Sequence, residues 1–378
     1  MKILIDARFW GPMHTGLGVY SKYLVLNLAK IDEKNSYVLL IRKETKNSPD
    51  FLDLPGNFQT KIVDIPPYSL AEQLVFPWVL YTLQPDIVHF TSINVPLLYI
   101  RKYIVTVHDL IKHQFVGLET TTRPGFIYWL KYFAYLLAFQ WLLFWSRKIL
   151  VPSNSVKNQL LTHSNDLNQC TDKVVVTYEA PVLVSQGNAL VQGVAFNNLP
   201  EKFAVYTGNA YPHKNLPRLI EAWKEVYIKT RCVLVLICGR SIFAERIEKL
   251  VKEKNASRYV RFFGYVSDFE LTSLYQKAEV FVYPTLSEGF GLPGLDAMLL
   301  GLPMVCSDIP VLHEVYADAA IYFDPKDEKD MASKIIEVIT NKKMRSTLID
   351  LGKKQAQKYS WYDTARKTLL VYESCFGL

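Results

Sequence analysis

The chain has 378 residues, of which 50% are hydrophobic and 21% charged, and a net charge of +7. At roughly 100–200 residues per domain, this length predicts two domains, and the composition excludes a disordered or collagen-like chain. The positive charge is modest and spread along the sequence, which fits an anionic small ligand or an anionic membrane surface better than nucleic acid. The five cysteines form no C-x-x-C pair, so we expect no disulfides, no cysteine metal site and a reducing cytoplasm.

Strands and helices alternate along the first half of the chain, which predicts a parallel sheet covered by helices. The first strand, KILID at residues 2–6, leads through a loop at residues 14–21 into a helix. Five more apolar runs predict strands, at residues 37–42, 86–90, 104–109, 149–153 and 173–178.

Residues 126–145, FIYWLKYFAYLLAFQWLLFW, form an unusually apolar stretch that is long enough to span a bilayer as a helix. Half of these residues are aromatic, which is typical of membrane interfaces, and the stretch runs straight into a predicted strand, so we do not expect it to span. Lys131 and Gln140 fall on opposite sides of a helix. The sequence therefore favours a helix covered on most sides, with docking on a membrane interface and spanning as the alternatives.

The second half repeats the alternation after a stretch at residues 181–200 that has no helical pattern. We expect strands at residues 203–208, 233–239, 260–265, 279–284, 303–308 and 320–325, with helices between them and a helical tail. The predicted boundaries are 1–185 for the first domain, 186–200 for the linker, 201–360 for the second domain and 361–378 for a terminal helix. Two doubly wound α/β domains explain this order most simply.

Candidate ligand-binding residues lie in loops that follow predicted strands, because ligands of open parallel sheets bind beyond the carboxyl ends of the strands. Gly16 and Gly18 permit close backbone approach ahead of a helix, with a simple turn as the alternative. His108 ends a buried strand, where it either faces a ligand or is structural. Lys214 precedes a helix, where a cation can meet a phosphate.

The strongest signal lies in residues 283–308, where a strand ends, a glycine loop follows and a helix begins near Pro293. The glycines let the amides of residues 290–292 point at an anion. Glu288 stands ahead of the helix, and we expect Asp296 in its first turn, on the ligand side. A glycine loop that carries an acid at a strand end favours a functional site.

These loops together resemble those of glycosyltransferase family 4, whose members are retaining enzymes of the GT-B fold. The resemblance rests on SEGFGLPGLDAMLLGLPMVCSDIPVLHEV, on HKN at residues 213–215, on VPSNSVKNQL and on GLG at residues 16–18. It implies two Rossmann-like doubly wound parallel-sheet domains that face a central cleft, with the C-terminal helix crossing back to the first domain. The sequence departs from the family at Asp296, where Glu is usual, and at Asn209, where many members have Arg.

The resemblance also implies a role for each residue. Lys214 and the amides of residues 290–292 would neutralise the donor diphosphate, and Asp296 would bind the ribose. Glu288 and His108 would contact the transferred sugar. The implied catalytic residues are His108, Lys214 and Glu288, and the implied donor-binding residues are Gly16, Gly18, Gly208, Asn209, Lys214, Tyr265, Val266, Glu288, Phe290, Gly291, Leu292 and Asp296.

The implied reaction is the retaining transfer of a hexose from a nucleotide diphosphate sugar to a glycan or lipid-linked acceptor in polysaccharide biosynthesis. A UDP-hexose is favoured as the donor and GDP-mannose is the alternative. No cofactor is expected, and no metal, because no D-x-D motif is present and a lysine with a helix N-terminus can stabilise the leaving diphosphate.

Proteins of other classes fit the sequence less well. An NAD-type dehydrogenase needs a G-x-G-x-x-G fingerprint, which neither half offers. The loop at Glu288 disfavours an epimerase, and a phosphorylase would be longer. A non-catalytic GT-B partner in polysaccharide assembly stays open as an alternative.

Basic residues flank the aromatic stretch and predict peripheral contact with an anionic inner membrane face. They are Arg101, Lys102, Arg123, Arg147 and Lys148.

Overall fold

The structure is a computed structural model that describes residues 1–11, 15–121, 124–163, 171–183 and 199–376. It divides into two compact units. The first comprises Met1–Leu110, Pro124–Glu179 and Ser360–Leu378, and the second comprises Ile111–Arg123 and Ala180–Tyr359. Residues 111–121 therefore belong to the second unit, although they fall within the range that the sequence assigned to the first domain. Most of the predicted linker, residues 186–198, lies outside the described residues.

All strands found in the described residues belong to two parallel sheets. The strands of the first unit are β1 (Lys2–Asp6), β2 (Ser36–Ile41), β3 (Phe58–Ile62), β4 (Ile87–Phe90), β5 (Tyr103–Thr106), β6 (Ser146–Val151) and β7 (Val174–Val176). Those of the second unit are β8 (Phe203–Thr207), β9 (Val233–Ile237), β10 (Val260–Phe263), β11 (Phe281–Tyr283), β12 (Met304–Ser307) and β13 (Ala320–Phe323).

Helices connect these strands. In chain order, those of the described residues are α1 (Thr15–Ile31), α2 (Leu70–Leu74), α3 (Phe76–Thr82), α4 (Ile111–Gln114), α5 (Gly125–Trp145), α6 (Asn154–Thr162), α7 (Leu216–Thr230), α8 (Ile242–Glu253), α9 (Asp268–Lys277), α10 (Leu292–Leu299), α11 (Pro310–Tyr316), α12 (Glu328–Thr340), α13 (Lys342–Ala356) and α14 (Trp361–Ser374). Several begin with a side-chain cap, and α9 carries a full capping box between Ser267 and Glu270.

The first sheet has the order β3-β2-β1-β4-β5-β6-β7, and the direction of winding reverses beside β1. Its central strands are apolar runs that are buried on both faces, as helices on both sides of a parallel sheet require. The sequence missed β3, because only Phe58 of this strand is buried and no apolar pattern marks it. The predicted doubly wound domain is confirmed.

The C-terminal helix α14 belongs to the first unit, as expected from the sequence. The indole ring of Trp361 stacks on the ring of Tyr23 in α1, with 5.6 Å between their centroids. At the other end of α14, the Tyr372 hydroxyl is hydrogen-bonded to Nδ1 of His89, at 2.7 Å. These contacts anchor α14 to α1 at one end and to β4 at the other.

The second sheet has the order β10-β9-β8-β11-β12-β13, with the reversal beside β8. Each predicted strand of this half is present. Because β8 and β11 are neighbours, the loops that follow them lie at the same edge of the sheet. These are the loops that carry Lys214 and Glu288.

Helix α5 differs from the expectation of a helix covered on most sides, and that prediction is wrong. It has the length and apolar composition of a membrane span, yet only 17% of its most apolar window is buried inside the protein. Its buried residues, Phe139, Leu142 and Leu143, all belong to its last two turns, where they join the core of the first unit. The earlier turns are largely exposed.

Four cysteines are buried free thiols, namely Cys232, Cys238, Cys306 and Cys375. The fifth, Cys170, lies outside the described residues. A buried thiol behaves as a small apolar group, so packing alone accounts for these cysteines.

Candidate functional site

The loop after β8 positions Lys214. It leaves the strand through Gly208, whose φ of +149° suits glycine, and ends in a short 3₁₀ turn at Pro212–Lys214. Asn215 follows in the left-handed conformation and begins α7. The side-chain amide nitrogen of Asn215 donates to the carbonyl oxygens of Pro284 and Pro325, at 3.1 and 2.7 Å. These hydrogen bonds fix the loop to the segments that follow β11 and β13.

Lys214 and Glu288 form a buried ion pair, with side chains 9% and 11% exposed. The Tyr283 hydroxyl donates to Oε1 of Glu288 at 2.8 Å, and Nζ of Lys214 lies 3.3 Å from the same hydroxyl. Burial by itself raises the pKa of Glu288, but the charge and hydrogen bond of Lys214 outweigh it, so the pKa lies below its ordinary value. The carboxylate is therefore ionised at neutral pH. The structure thus brings together two residues that are 74 positions apart in the sequence.

The start of α10 is built around Gly291, which adopts a φ of +98° and precedes the first helical residue, Leu292. A Cβ atom on Gly291 would lie 2.4 Å from the Tyr316 hydroxyl, which donates to the Gly291 carbonyl at 2.6 Å. Phe290 is buried, and its ring meets Tyr359 edge to face. Within the described part of the chain, no side chain caps this helix. Its first amides therefore have the arrangement that attracts an anion.

Asp296 lies in the second turn of α10, not in the first turn as we expected, because the left-handed glycine starts the helix one residue earlier than Pro293. Its Oδ1 accepts the backbone N–H groups of Val182 and Leu183, at 2.7 and 3.0 Å. Burial raises the pKa of this carboxyl group to about 7, although these two hydrogen bonds act to lower it. No motif or periodicity in the sequence indicated this contact.

The remaining donor-binding candidates of the second unit also lie at carboxyl ends of strands. Tyr265 and Val266 follow β10, and the Tyr265 side chain is exposed. Asn209 follows Gly208, and its carbonyl oxygen accepts the Tyr206 hydroxyl at 2.7 Å. Their predicted contacts with a nucleotide stay predictions.

Gly16 and Gly18 lie within the first turn of α1, whereas we expected a loop ahead of the helix. A Cβ atom on Gly18 would lie 2.3 Å from the Gly11 carbonyl oxygen, so this glycine allows the helix to approach the chain's own backbone. Nothing lies within 4 Å of the corresponding position on Gly16. His14, which began the predicted loop, lies outside the described residues.

His108 follows β5, and both of its ring nitrogens are engaged within the first unit. Nδ1 is 2.9 Å from Oε1 of Glu179, and Nε2 is 2.9 Å from the carbonyl oxygen of Thr91. Burial by itself lowers the pKa of His108, but the hydrogen bond and charge of Glu179 outweigh it and raise the pKa above the ordinary value. Sequence reasoning missed Glu179, whose only signal is its place shortly after β7.

No group of three or more His, Cys, Asp and Glu side chains within the described ranges could hold a metal ion.

Residues 193–355 match the family described as glycosyl transferases group 1. O-antigen chain mannosyltransferase B of Escherichia coli is 34% identical over 173 residues, which are 45% of this chain and 45% of that protein. O-antigen chain mannosyltransferase RfbU of Salmonella typhimurium is 31% identical over 252 residues, which are 65% of this chain and 62% of that protein. The chain thus spans about half to three-fifths of the length of these relatives.

The fold as a whole is similar to that of sucrose-phosphate synthase from Thermosynechococcus elongatus. The TM-score is 0.74, and the match covers 99% of this chain and 98% of that one at 21% identity. One conclusion follows from the two parallel-sheet units, the buried Lys214–Glu288 pair and the family match over residues 193–355. The chain has the GT-B fold, and its residues 193–355 match the group 1 glycosyl transferases, in agreement with its resemblance to glycosyltransferase family 4.

Proposed function

We propose that the protein is a retaining hexosyltransferase, which moves a hexose from a nucleoside diphosphate sugar to a glycan or lipid-linked acceptor in cytoplasmic polysaccharide biosynthesis. The observation that carries the proposal is the Lys214–Glu288 pair at the sheet edge that also leads into the glycine-capped start of α10. A lysine and a helix N-terminus are two fixed sources of positive potential. Such preorganised groups stabilise charge that develops on a leaving group.

The chemistry follows from these charges. When the bond between the sugar and the diphosphate breaks, its electron pair passes to a phosphate oxygen. An ammonium group has three N–H donors, and Lys214 directs two of them at Glu288 and Tyr283, so its third can meet that oxygen. The acceptor hydroxyl oxygen bonds to the anomeric carbon on the same face, and its proton passes to the leaving phosphate. Because fixed groups of the protein stabilise the diphosphate, we propose that the reaction needs no divalent metal.

The other residues of the second unit would hold the rest of the donor. We propose that Glu288 also contacts the transferred sugar, and that ribose hydroxyls donate to Oδ2 of Asp296, because Oδ1 already accepts two backbone hydrogen bonds. The nucleobase would meet the backbone at Tyr265 and Val266. Gly208 and Asn209 would line the part of the site that binds the diphosphate.

In the first unit, we propose that His108 contacts the transferred sugar. Because Glu179 and Thr91 occupy both ring nitrogens, His108 would act through its positive charge and its ring edge. Of the two predicted glycines, Gly16 is the better candidate for close approach of a ligand, because its Cβ position faces open space. Gly18 serves the packing of α1.

The identity of the sugar is the finer part of the proposal. Similarity to two mannosyltransferases, at 34% and 31% identity, supports GDP-mannose as the first candidate donor. The UDP-hexose that sequence reasoning favoured stays a prediction and becomes the second candidate.

A transfer assay tests the proposal. The full chain is incubated with radiolabelled GDP-mannose, UDP-glucose or UDP-galactose and a lipid-extract acceptor, in chelator. We expect transfer from one donor without added metal, and an NMR spectrum of the product in which the anomeric configuration of the donor is kept. Binding of a nucleotide without transfer or donor hydrolysis would instead identify a non-catalytic partner. An inverted product, or transfer that returns only with magnesium or manganese, would contradict the proposed mechanism.

A further inference from the structure

Helix α5 carries an exposed row of large apolar side chains, which we call the apolar stripe. At 3.6 residues per turn its members fall within an arc of about 100° and run along roughly 27 Å of the helix. Each is between 51% and 76% exposed. The members are Phe126, Trp129, Leu130, Phe133, Leu137 and Phe144. A contiguous exposed apolar surface of this size marks an interaction site.

The same helix is fixed to the first unit by its other side. Phe139, Leu142 and Leu143 are buried in the core of this unit. The strand β6 begins at Ser146, directly after the helix, and pairs there with Tyr103 of β5. A transmembrane orientation would pull these residues out of the core and the sheet. The stripe can therefore meet a partner only along its length.

A group of basic residues surrounds the C-terminal end of α5, and we call it the basic cluster. Nζ of Lys102 lies 5.0 Å from the ring centroid of Trp145 and 5.5 Å from that of Phe144. Lys173 donates to the carbonyl oxygen of Leu143 at 3.5 Å. The cluster consists of Lys102, Arg147 and Lys173, together with Arg101, which precedes Lys102, and Lys148, whose Nζ donates to the carbonyl oxygen of Asp172 beside Lys173.

The basic cluster carries more positive charge than is required to stabilise the C-terminal end of one helix. Cations at a helix C-terminus are favourable, which accounts for Lys102 and Lys173. However, the pKa of Lys102 is lowered, first by burial and then by the positive charges of Lys173 and Arg147. These cations repel one another within the protein. A negatively charged surface outside it would relieve the repulsion.

A second exposed apolar set lies next to the basic cluster in the first unit. Leu98 and Ile100 are more than half exposed and directly precede Arg101. The hydroxyl of Tyr81 ties this loop to α3, where Trp78 is 68% exposed. Cations beside exposed apolar side chains match a bilayer surface, in which anionic head groups lie above acyl chains.

We infer that the first unit docks on an anionic lipid bilayer, with α5 lying in the plane of the membrane interface. The apolar stripe enters the boundary between head groups and acyl chains, and the basic cluster binds lipid phosphates. Aromatic residues make up half of residues 126–145, and such residues favour membrane interfaces. A protein partner or a second copy of the chain would not account for the charge of the cluster.

Vesicle co-sedimentation of the full chain tests this inference, with phosphatidylcholine vesicles that either contain or lack phosphatidylglycerol. We expect the protein to pellet with the anionic vesicles at low salt and to be released by high salt or alkali. The variant Trp129→Ser with Phe133→Ser should lose more than tenfold in vesicle affinity. Arg101→Gln with Arg147→Gln should lose roughly fivefold per cation, and only with anionic vesicles.

Matched controls exist in the second unit. Ile228 and Ile242 are 58% and 52% exposed, and changing both to Ser should leave vesicle binding unchanged. Equal unfolding temperatures of all variants would exclude misfolding. Failure of the wild type to pellet, equal binding by the stripe variant, resistance to alkali, or a lipid-independent dimer that the stripe variant abolishes would each overturn the inference. Vesicle binding needs no donor, so its failure would leave the transferase proposal standing.

Discussion

The Lys214–Glu288 pair places two opposite charges in a largely buried site, where each is stable only because of the other. Removing one member of a buried ion pair typically costs about 3–5 kcal/mol, because an unpaired charge is left behind, whereas removing both costs far less. Loss of activity on single substitution therefore cannot be read as catalysis alone. A double substitution separates folding from function.

We predict that Lys214→Met lowers the free energy of unfolding by about 3–5 kcal/mol, and that Lys214→Met with Glu288→Gln restores most of it. Gln keeps an acceptor for the Tyr283 hydroxyl, and Met fills the volume of the lysine stem. Urea unfolding of the three proteins measures this. Equal destabilisation of the single and double variants would show that the pair is not coupled in the folded protein.

Asp296 makes folding depend on pH. Its pKa rises from 3.8 to about 7 on folding, so the folded state holds a proton that the unfolded state has lost. The stabilisation from this proton is complete below the unfolded value and disappears as the pH rises through about 7.

We predict that the wild type loses stability relative to Asp296→Asn between about pH 4 and about pH 7, with no further loss above. Asn keeps an oxygen for the N–H groups of Val182 and Leu183 but does not titrate. The difference between the two proteins, from urea unfolding at several pH values, removes the contribution of all other groups. A difference that does not change with pH would contradict the raised pKa.

At the scale of elements, buried strands were predictable because each is a short apolar run, whereas β3 was not, since it buries only Phe58. The error at α5 has a different cause. Its composition indicates burial or membrane contact equally, and only the tertiary fold decides which side of the helix the core covers. Periodicity also cannot reveal that Asp296 is bound by Val182 and Leu183, or His108 by Glu179, because these partners lie more than 70 residues away in the chain.

The glycine at the start of α10 gives a prediction at this scale. Gly291→Ala should lower the free energy of unfolding by at least about 2 kcal/mol, because the positive φ strains alanine and the new methyl group meets the Tyr316 hydroxyl. Chemical unfolding measures the change. Gly56→Ala is the control, since its Cβ position has no neighbour within 4 Å and should cost little. Equal effects of the two substitutions would mean that Gly291 does not determine how this helix begins.

In the molecule as a whole, we assign donor binding to the second unit and membrane docking to the first. The candidate donor-binding residues lie in loops at the carboxyl ends of parallel strands, whereas the basic cluster lies at the amino ends of β5, β6 and β7. The resemblance to family 4 predicts the donor-binding residues by motif, but it implies nothing about the Tyr283 hydroxyl, Glu179 or the apolar stripe. These depend on how distant segments pack.

The change in unfolding temperature caused by nucleoside diphosphates tests most directly whether Lys214 holds the donor diphosphate. For the wild type, GDP or UDP at about 100 times its dissociation constant should add about 2.7 kcal/mol and raise the unfolding temperature by roughly 5–10 °C. The variant Lys214→Met with Glu288→Gln, which keeps the fold, should lose most of this shift, because it has lost the cation that meets the diphosphate. No shift with any nucleoside diphosphate, or an equal shift in both proteins, would contradict the claim that Lys214 holds the donor diphosphate.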